Sequence, residues 1–166
     1  WEELMRVRLF RPLGIRTAGF GAPGTKGKVD QPLGHTTKGV AVEPGPGSDN
    51  PPAIGPAGTV HMSFADWAKY VAFHLRGNSE ILEPETLALL HQAPKDTKYA
   101  MGWFRADRDW AGGTALTHNG SNTMWFVVAW LAPERDFAVI VGCNQGGADK
   151  ATDEAAWAFI QDYLKK

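Results

Sequence analysis

The apolar positions of this chain change period along its length, and the changes mark its elements. Phe64, Trp67, Ala68, Val71, Ala72 and Leu75 recur at i, i+3, i+4, i+7, i+8 and i+11. That spacing predicts an amphipathic helix with one face on a core. Ser63 suits its N-cap, Asp66 three residues on gives an acidic variant of the capping box, and Gly77 suits the C′ stop. Lys69, His74 and Arg76 fall on the predicted wet side. Pro84 opens a second short helix carrying Leu87, Leu90 and His91. An earlier helix at the start of the chain carries Trp1, Leu4, Met5 and Leu9 on one stripe, with Glu2 and Glu3 early and Arg6, Arg8 and Arg11 late. Pro12 and Gly14 end it.

From Tyr99 onward the pattern is strand-like. Tyr99 to Arg105 predicts a strand, Asp107 to Gly113 a turn region, and Ala115 to Thr117 a short strand. Thr123 to Leu131 is apolar on both faces, which predicts a strand covered on both sides. Pro133-Glu134-Arg135-Asp136 turns the chain, and Phe137 to Cys143 returns, again apolar on both faces. After Gly146-Gly147 a last helix is predicted over 149–164, with Trp157, Ile160 and Leu164 on one stripe. Helices, then antiparallel strands, then a closing helix predict an α+β fold: an antiparallel sheet with helices packed on it.

Composition adds boundaries. At 166 residues the chain reads as one domain, 1–166, with enough length for a real core. Residues 21–58 hold 9 of the 19 Gly and 7 of the 11 Pro, so no periodic element is expected there. So long a connection is either functional or a surface loop, and dense Pro favours a fixed path. Within it His35 and Asp49-Asn50 stand out as candidate functional residues, with loop polarity as the plainer reading. A net charge of -1 gives no electrostatic case for nucleic acid or an anionic membrane. The longest apolar run, Met124 to Ala132, is far short of the roughly 20 residues of a membrane span. One cysteine, Cys143, in an apolar run, leaves no internal disulfide and reads as buried and inert. His61, His74 and His91 lack metal-ligand spacing, and neither metal nor cofactor is expected.

One polar stretch interrupts the apolar strands: His118-Asn119-Gly120-Ser121-Asn122, entered from Ala115-Leu116-Thr117 and left through Thr123-Met124-Trp125. Asn-Gly between strand-like runs is the strongest short-range hairpin signal. The stretch also carries chemistry: an imidazole, a Gly that admits close approach to the backbone, and the N–H groups of Ser121 and Asn122. The plainer reading is a surface turn.

In order, the chain shows Pro-Leu-Gly near its start, Gly55-Pro56-Ala57-Gly58 before a Ser-x-x-Asp-Trp helix, Gly102-Trp103, His118-Asn119-Gly120-Ser121, a strand pair around Pro-Glu-Arg-Asp, and a terminal helix. That order resembles the C-terminal portion of the serine β-lactamase-related hydrolases: class C β-lactamases, DD-peptidases and esterases. The resemblance implies a β-lactamase/transpeptidase-like fold and a small-molecule acyl substrate, an ester, peptide or β-lactam. It implies that His118-Asn119-Gly120 is the family's third motif, Lys-Thr-Gly or His-x-Gly. His118 would then support proton traffic or orient substrate, Asn119 and Asn122 would bind it, and Gly120 would let the acyl group lie on the strand. The N–H of Ser121 would be one of two oxyanion-hole donors. Trp125, with Trp103 and Trp110, would wall the cleft, with a core aromatic as the plainer reading of each. A periplasmic or secreted location is implied too.

Two further family motifs are missing. No Ser has Lys three residues on, and none of Tyr70, Tyr99 and Tyr163 has Asn two residues on. After Asn144 the chain reads Gln-Gly-Gly-Ala-Asp, without the Tyr-Pro-Asn-Pro-x-Arg pattern of class C β-lactamases, which favours an esterase or peptidase-like member. The expectation is therefore a C-terminal fragment whose nucleophile lies upstream, inactive alone; the abrupt start at Trp1 inside a helical pattern fits a piece of something longer. The alternatives are a non-catalytic binding or regulatory module of the same fold, and an unrelated α+β interaction domain. The resemblance also implies that the family's N-terminal strands, which complete the sheet beside the last strand, are missing here. The strand 137–143 is therefore expected to present an edge, covered by a second copy, by an N-terminal half of the same protein, or by the chain's own loop.

Overall fold

The computed structural model describes residues 1–165. Its elements run α1 (Glu2–Met5), β1 (Gly19–Phe20), β2 (Gly34–His35), β3 (Ala41–Val42), α2 (Gly55–Gly58), β4 (Val60–His61), α3 (Phe64–Arg76), α4 (Pro84–Leu90), β5 (Phe104–Arg108), β6 (Gly113–Ser121), β7 (Phe126–Ala132), β8 (Phe137–Cys143) and α5 (Asp149–Tyr163). The fold is α+β: four antiparallel strands in the order β5-β6-β7-β8, joined by short turns, with two satellite two-stranded pairs, β1-β4 and β2-β3.

Helices cover both faces of the four-stranded sheet. Val71 of α3 lies in one cluster with Ala100, Trp103, Leu116, Ala129 and Leu131. Ala156 and Ile160 of α5 lie in another with Val128 and Val139. This is why β7 and β8 read as apolar on both sides. Leu116 and Leu131 are fully buried, each contributing about 2 kcal/mol by leaving water.

Helix α3 has the predicted ends. Ser63 Oγ accepts from Asp66 N–H at 3.3 Å, and Gly77 stops the helix at φ 73°, its N–H on Phe73 O. The capping box is different in kind, however. The Ser63 N–H donates to Thr17 Oγ1, and the Asp66 carboxylate reaches across to the Arg16 and Thr17 amides, the Thr17 hydroxyl and Lys69. Lys69 first, then Thr17, holds the Asp66 carboxyl well below the usual carboxylate range. Asp66 thus ties the start of α3 to the segment after the first helix.

Several expectations are corrected. The first helix widens from α1 into a π-helical turn over Arg6–Phe10, where Arg11 N–H donates to Arg6 O five residues back. Phe10 is its buried residue, while Leu4 and Trp1 are exposed. The strand expected from Tyr99 starts at Phe104, because Ala100 N–H turns back to Trp103 O at 2.7 Å around Gly102, whose φ is +87°. The buried stripe of α5 is Thr152, Ala156 and Ile160, while Trp157 and Leu164 are exposed. His74 lies in the core, 5% exposed, and not on the wet side of α3. Its Nδ1 meets His91 Nε2 at 2.8 Å, and its ring packs edge-on to Trp103 and Tyr70. Burial first, and His91 second, depress the His74 pKa to about 4. Cys143 is half-buried, not fully enclosed.

The Gly/Pro-rich stretch 21–58 has a fixed path. Asn144 Nδ2 donates to Leu33 O, His35 Nδ1 contacts Asn144 O, His35 N–H donates to Met124 O, and Gly146 N–H donates to His35 O. These bonds pin the loop to the two chain segments that flank the ends of β7 and β8.

Candidate active site

The Asn119-Gly120 hairpin is overturned. Strand β6 continues through Ser121, pairing His118 with Ala129, Asn119 with Val128, Gly120 with Val127 and Ser121 with Phe126. The turn lies later, at Asn122 to Trp125. There Asn122 Oδ1 accepts from the amides of Met124 and Trp125 at 3.2 and 3.0 Å, and Thr123 takes a φ of +72°. An Asx-type cap of that kind builds a turn without Gly. Ser121 Oγ joins it, donating to Trp125 O at 2.6 Å and accepting from Thr123 N–H at 3.0 Å.

Carrying His118-Asn119-Gly120-Ser121 on a strand fixes where the backbone groups point. Arg105 N–H donates to Lys98 O, away from β6. Arg105 pairs with Leu116 and Phe104 with Thr117, so the Phe104–Thr117 pair is the hydrogen-bonded one. Alternation then turns the N–H and C=O of Thr117, Asn119 and Ser121 toward the β5 side, and those of Leu116, His118 and Gly120 toward β7. Strand β5 begins opposite Thr117. The Ser121 amide therefore points to a flank where the described sheet has no strand. Asn50 confirms the direction: its Nδ2 donates to Ser121 O at 3.4 Å as well as to Gly58 O at 2.8 Å.

The imidazole of His118 is half-buried on that rim. Its Nε2 lies 3.1 Å from the Tyr99 hydroxyl. Phe104 stands edge-on to Tyr99, ring centroids 4.6 Å apart, and within 6.1 Å of the imidazole. Asn119 is exposed on β6. Asn122 and Trp125 serve the turn. Asn122 Nδ2 donates to Asp49 Oδ1 at 3.1 Å, and the Trp125 indole lies against Gly34, where a Cβ would meet its Nε1 at 2.5 Å. Trp103 and Trp110 are not cleft walls. Trp103 is buried in the α3-side cluster, and Trp110 packs on Trp130 and Phe137.

Tyr99 and its partner Phe104 join the rim although nothing in their local pattern assigns them a part in the site. The two aromatics flank Ala-Met-Gly-Trp, but only the tight turn after Tyr99 brings them to His118. Asp49 and Asn50, the polar pair of the Gly/Pro-rich stretch, both reach the far end of β6. Among the described residues no cluster of metal-ligating side chains forms, and no helix is long and apolar enough to cross a membrane.

The sheet and its flanking helices define a class, that of the penicillin-binding-protein-like folds. A penicillin-binding protein homologue from Pyrococcus abyssi, described as octameric, superimposes with a TM-score of 0.67 at 21% identity over 87% of this chain and 33% of its own. SurE gives 0.72 at 20% identity, over 96% of this chain and 39% of its own. A penicillin-binding protein from Bacillus halodurans gives 0.68 at 17% identity, over 95% and 48%. The Beta-lactamase family model matches residues 1–162, and the chain belongs to that family. It spans between a third and a half of the length of these solved structures. Among curated proteins none matches its sequence.

Proposed function

We propose that this chain is the C-terminal part of a serine acyl hydrolase. It supplies the His118-Asn119-Gly120 motif and the Ser121 amide to a reaction centre whose nucleophilic Ser and its Lys belong to polypeptide outside these 166 residues. The observation that carries the reading is the direction of the Ser121 N–H, aimed by strand alternation at a flank that no described strand occupies. A preorganised backbone donor of that kind lowers an acyl-transfer barrier by roughly 3–4 kcal/mol. His118, on the same rim, orients the acyl substrate or moves its proton. Asn119, exposed beside it, hydrogen-bonds the substrate, and Gly120 lets the acyl group lie close to the strand. Asn122 and Trp125 shape the turn that ends the site.

The substrate is a small acyl compound: an ester, a peptide or a β-lactam. SurE has been solved with D-Leu, which makes D-amino-acyl esters worth including among the substrates tried. The coverage of a third to a half of the similar structures supports a missing N-terminal partner, which would also cover the outer edge of β8.

The test compares this chain with the complete polypeptide against nitrocefin, p-nitrophenyl esters and a D-leucyl ester. The chain alone is expected to show no turnover, and the complete protein to hydrolyse at least one class. Turnover by the isolated chain refutes the division of the site. A complete protein that binds these compounds without cleaving them is instead a binding module of the same fold.

A further inference from the structure

We infer that Tyr99 is a positioning residue for His118, holding its imidazole as the tautomer protonated on Nδ1, so that His118 meets a substrate as a hydrogen-bond donor. The inference deepens the preceding reading and rests on it for the part His118 plays.

The contact is between the Tyr99 hydroxyl and His118 Nε2, 3.1 Å apart. A neutral imidazole has one N–H and one lone pair, and a neutral phenol is the better donor of the two. With the hydroxyl donating, Nε2 must carry the lone pair and Nδ1 the proton. Free histidine favours the opposite tautomer, so the arrangement needs a hydroxyl held in place.

The backbone around Tyr99 holds it. Tyr99 bridges Phe104 in an antiparallel pair. Ala100 N–H donates to Trp103 O at 2.7 Å, and Arg105 N–H to Lys98 O at 2.8 Å. Ala100 and Trp103, inside this turn, are buried in the core, so the turn cannot shift without disturbing α3 and the sheet. Phe104, edge-on at 4.6 Å, fixes the Tyr99 ring. Nε2 is thereby occupied from the Tyr99 side. The nitrogen left to meet a substrate carbonyl or carboxylate is Nδ1, which carries a proton.

The experiment is a long-range ¹H–¹⁵N spectrum of the histidine side chains in the complete ¹⁵N-labelled polypeptide, with His118 neutral and assigned by its loss in His118→Ala. The expected wild-type pattern is protonated Nδ1 with an acceptor-type Nε2. Tyr99→Phe keeps the ring on Phe104 and is expected to convert His118 to the Nε2–H tautomer or a mixture. It should also lower kcat about tenfold with KM little changed. A wild-type Nε2–H pattern overturns the inference without any variant, and so does a Tyr99→Phe spectrum identical to wild type. If His118→Ala is inactive while either result is found, the hydrolase reading stands and only the role of Tyr99 falls. If His118→Ala keeps full turnover, the reading of the site itself fails, whatever the tautomer.

Discussion

The side-chain amide of Asn50 joins two distant parts of the chain, donating to Ser121 O at 3.4 Å while also bonding Gly58 O at 2.8 Å. Next to it, Asp49 accepts from Asn122. The Gly/Pro-rich loop thus grips the last residue of β6 and the first of the turn that follows. Gly58 makes this possible, since a Cβ there would come within 2.6 Å of Asn50 Nδ2.

Two substitutions should therefore disturb the Ser121 peptide by different routes. Asn50→Ala removes the donor, and Gly58→Ala displaces it. In the complete protein each is expected to lower kcat about tenfold, close to 1.4 kcal/mol of transition-state stabilisation, with a smaller effect on KM. Steady-state kinetics decides this. Wild-type kcat in both variants would show that the grip of the loop on Ser121 has no part in turnover.

His118→Ala in the complete protein should lower kcat by more than tenfold. Circular dichroism checks that the variant is folded, since His118 pairs with Ala129 through its backbone and not its ring. An unchanged kcat removes His118 from the mechanism.

The buried histidine pair should make folding sensitive to mild acid. Burial first, and His91 second, lower the pKa of His74 from its ordinary 6.5 to about 4 in the folded protein, so below neutrality the unfolded chain binds a proton that the native state refuses. Stability should decline as pH falls from about 6.5 and level off near 4, by on the order of 2–3 kcal/mol. His91, also lowered by burial and by Arg105, adds in the same direction. Urea midpoints at pH 7 and pH 5 test this. His74→Gln, destabilised at both, should lose most of the difference, and an equal pH effect in that variant would assign it elsewhere.

Strand β8 is the outer strand of the four, and alternation from its pairs with β7 directs the backbone groups of Ala138, Ile140 and Gly142 away from the sheet. An exposed edge of this length invites pairing. The isolated chain is expected to self-associate, or to be captured by a separately expressed N-terminal half. Sedimentation velocity over a concentration series measures the first, and co-elution the second. A strict monomer with fast-exchanging Ala138 and Ile140 amides, indifferent to the N-terminal half, contradicts the expectation.

The sequence alone determined those elements whose instructions are local. Ser63 and Gly77 bound α3, Pro133 to Asp136 turns β7 into β8, and Phe137 to Cys143 is the strand its pattern predicts, because capping, turn chemistry and period act over a few residues. The order of motifs carried the family as well. Tertiary structure alone decided the register and the company each side chain keeps. Asn119-Gly120 has the local chemistry of a turn, yet its pairing with Val128 and Val127 keeps it extended, and Asn122 makes the turn instead. His74 has the polarity of a wet position, yet His91, 17 residues on, supplies the hydrogen bond that lets it be buried. Tyr99 and Asn50 reach the rim from residues 19 and 71 positions away from those they touch. Local propensity is a property of near neighbours along the chain. Register and burial are set by contacts between distant ones, which exist only once the sheet and its helices have closed.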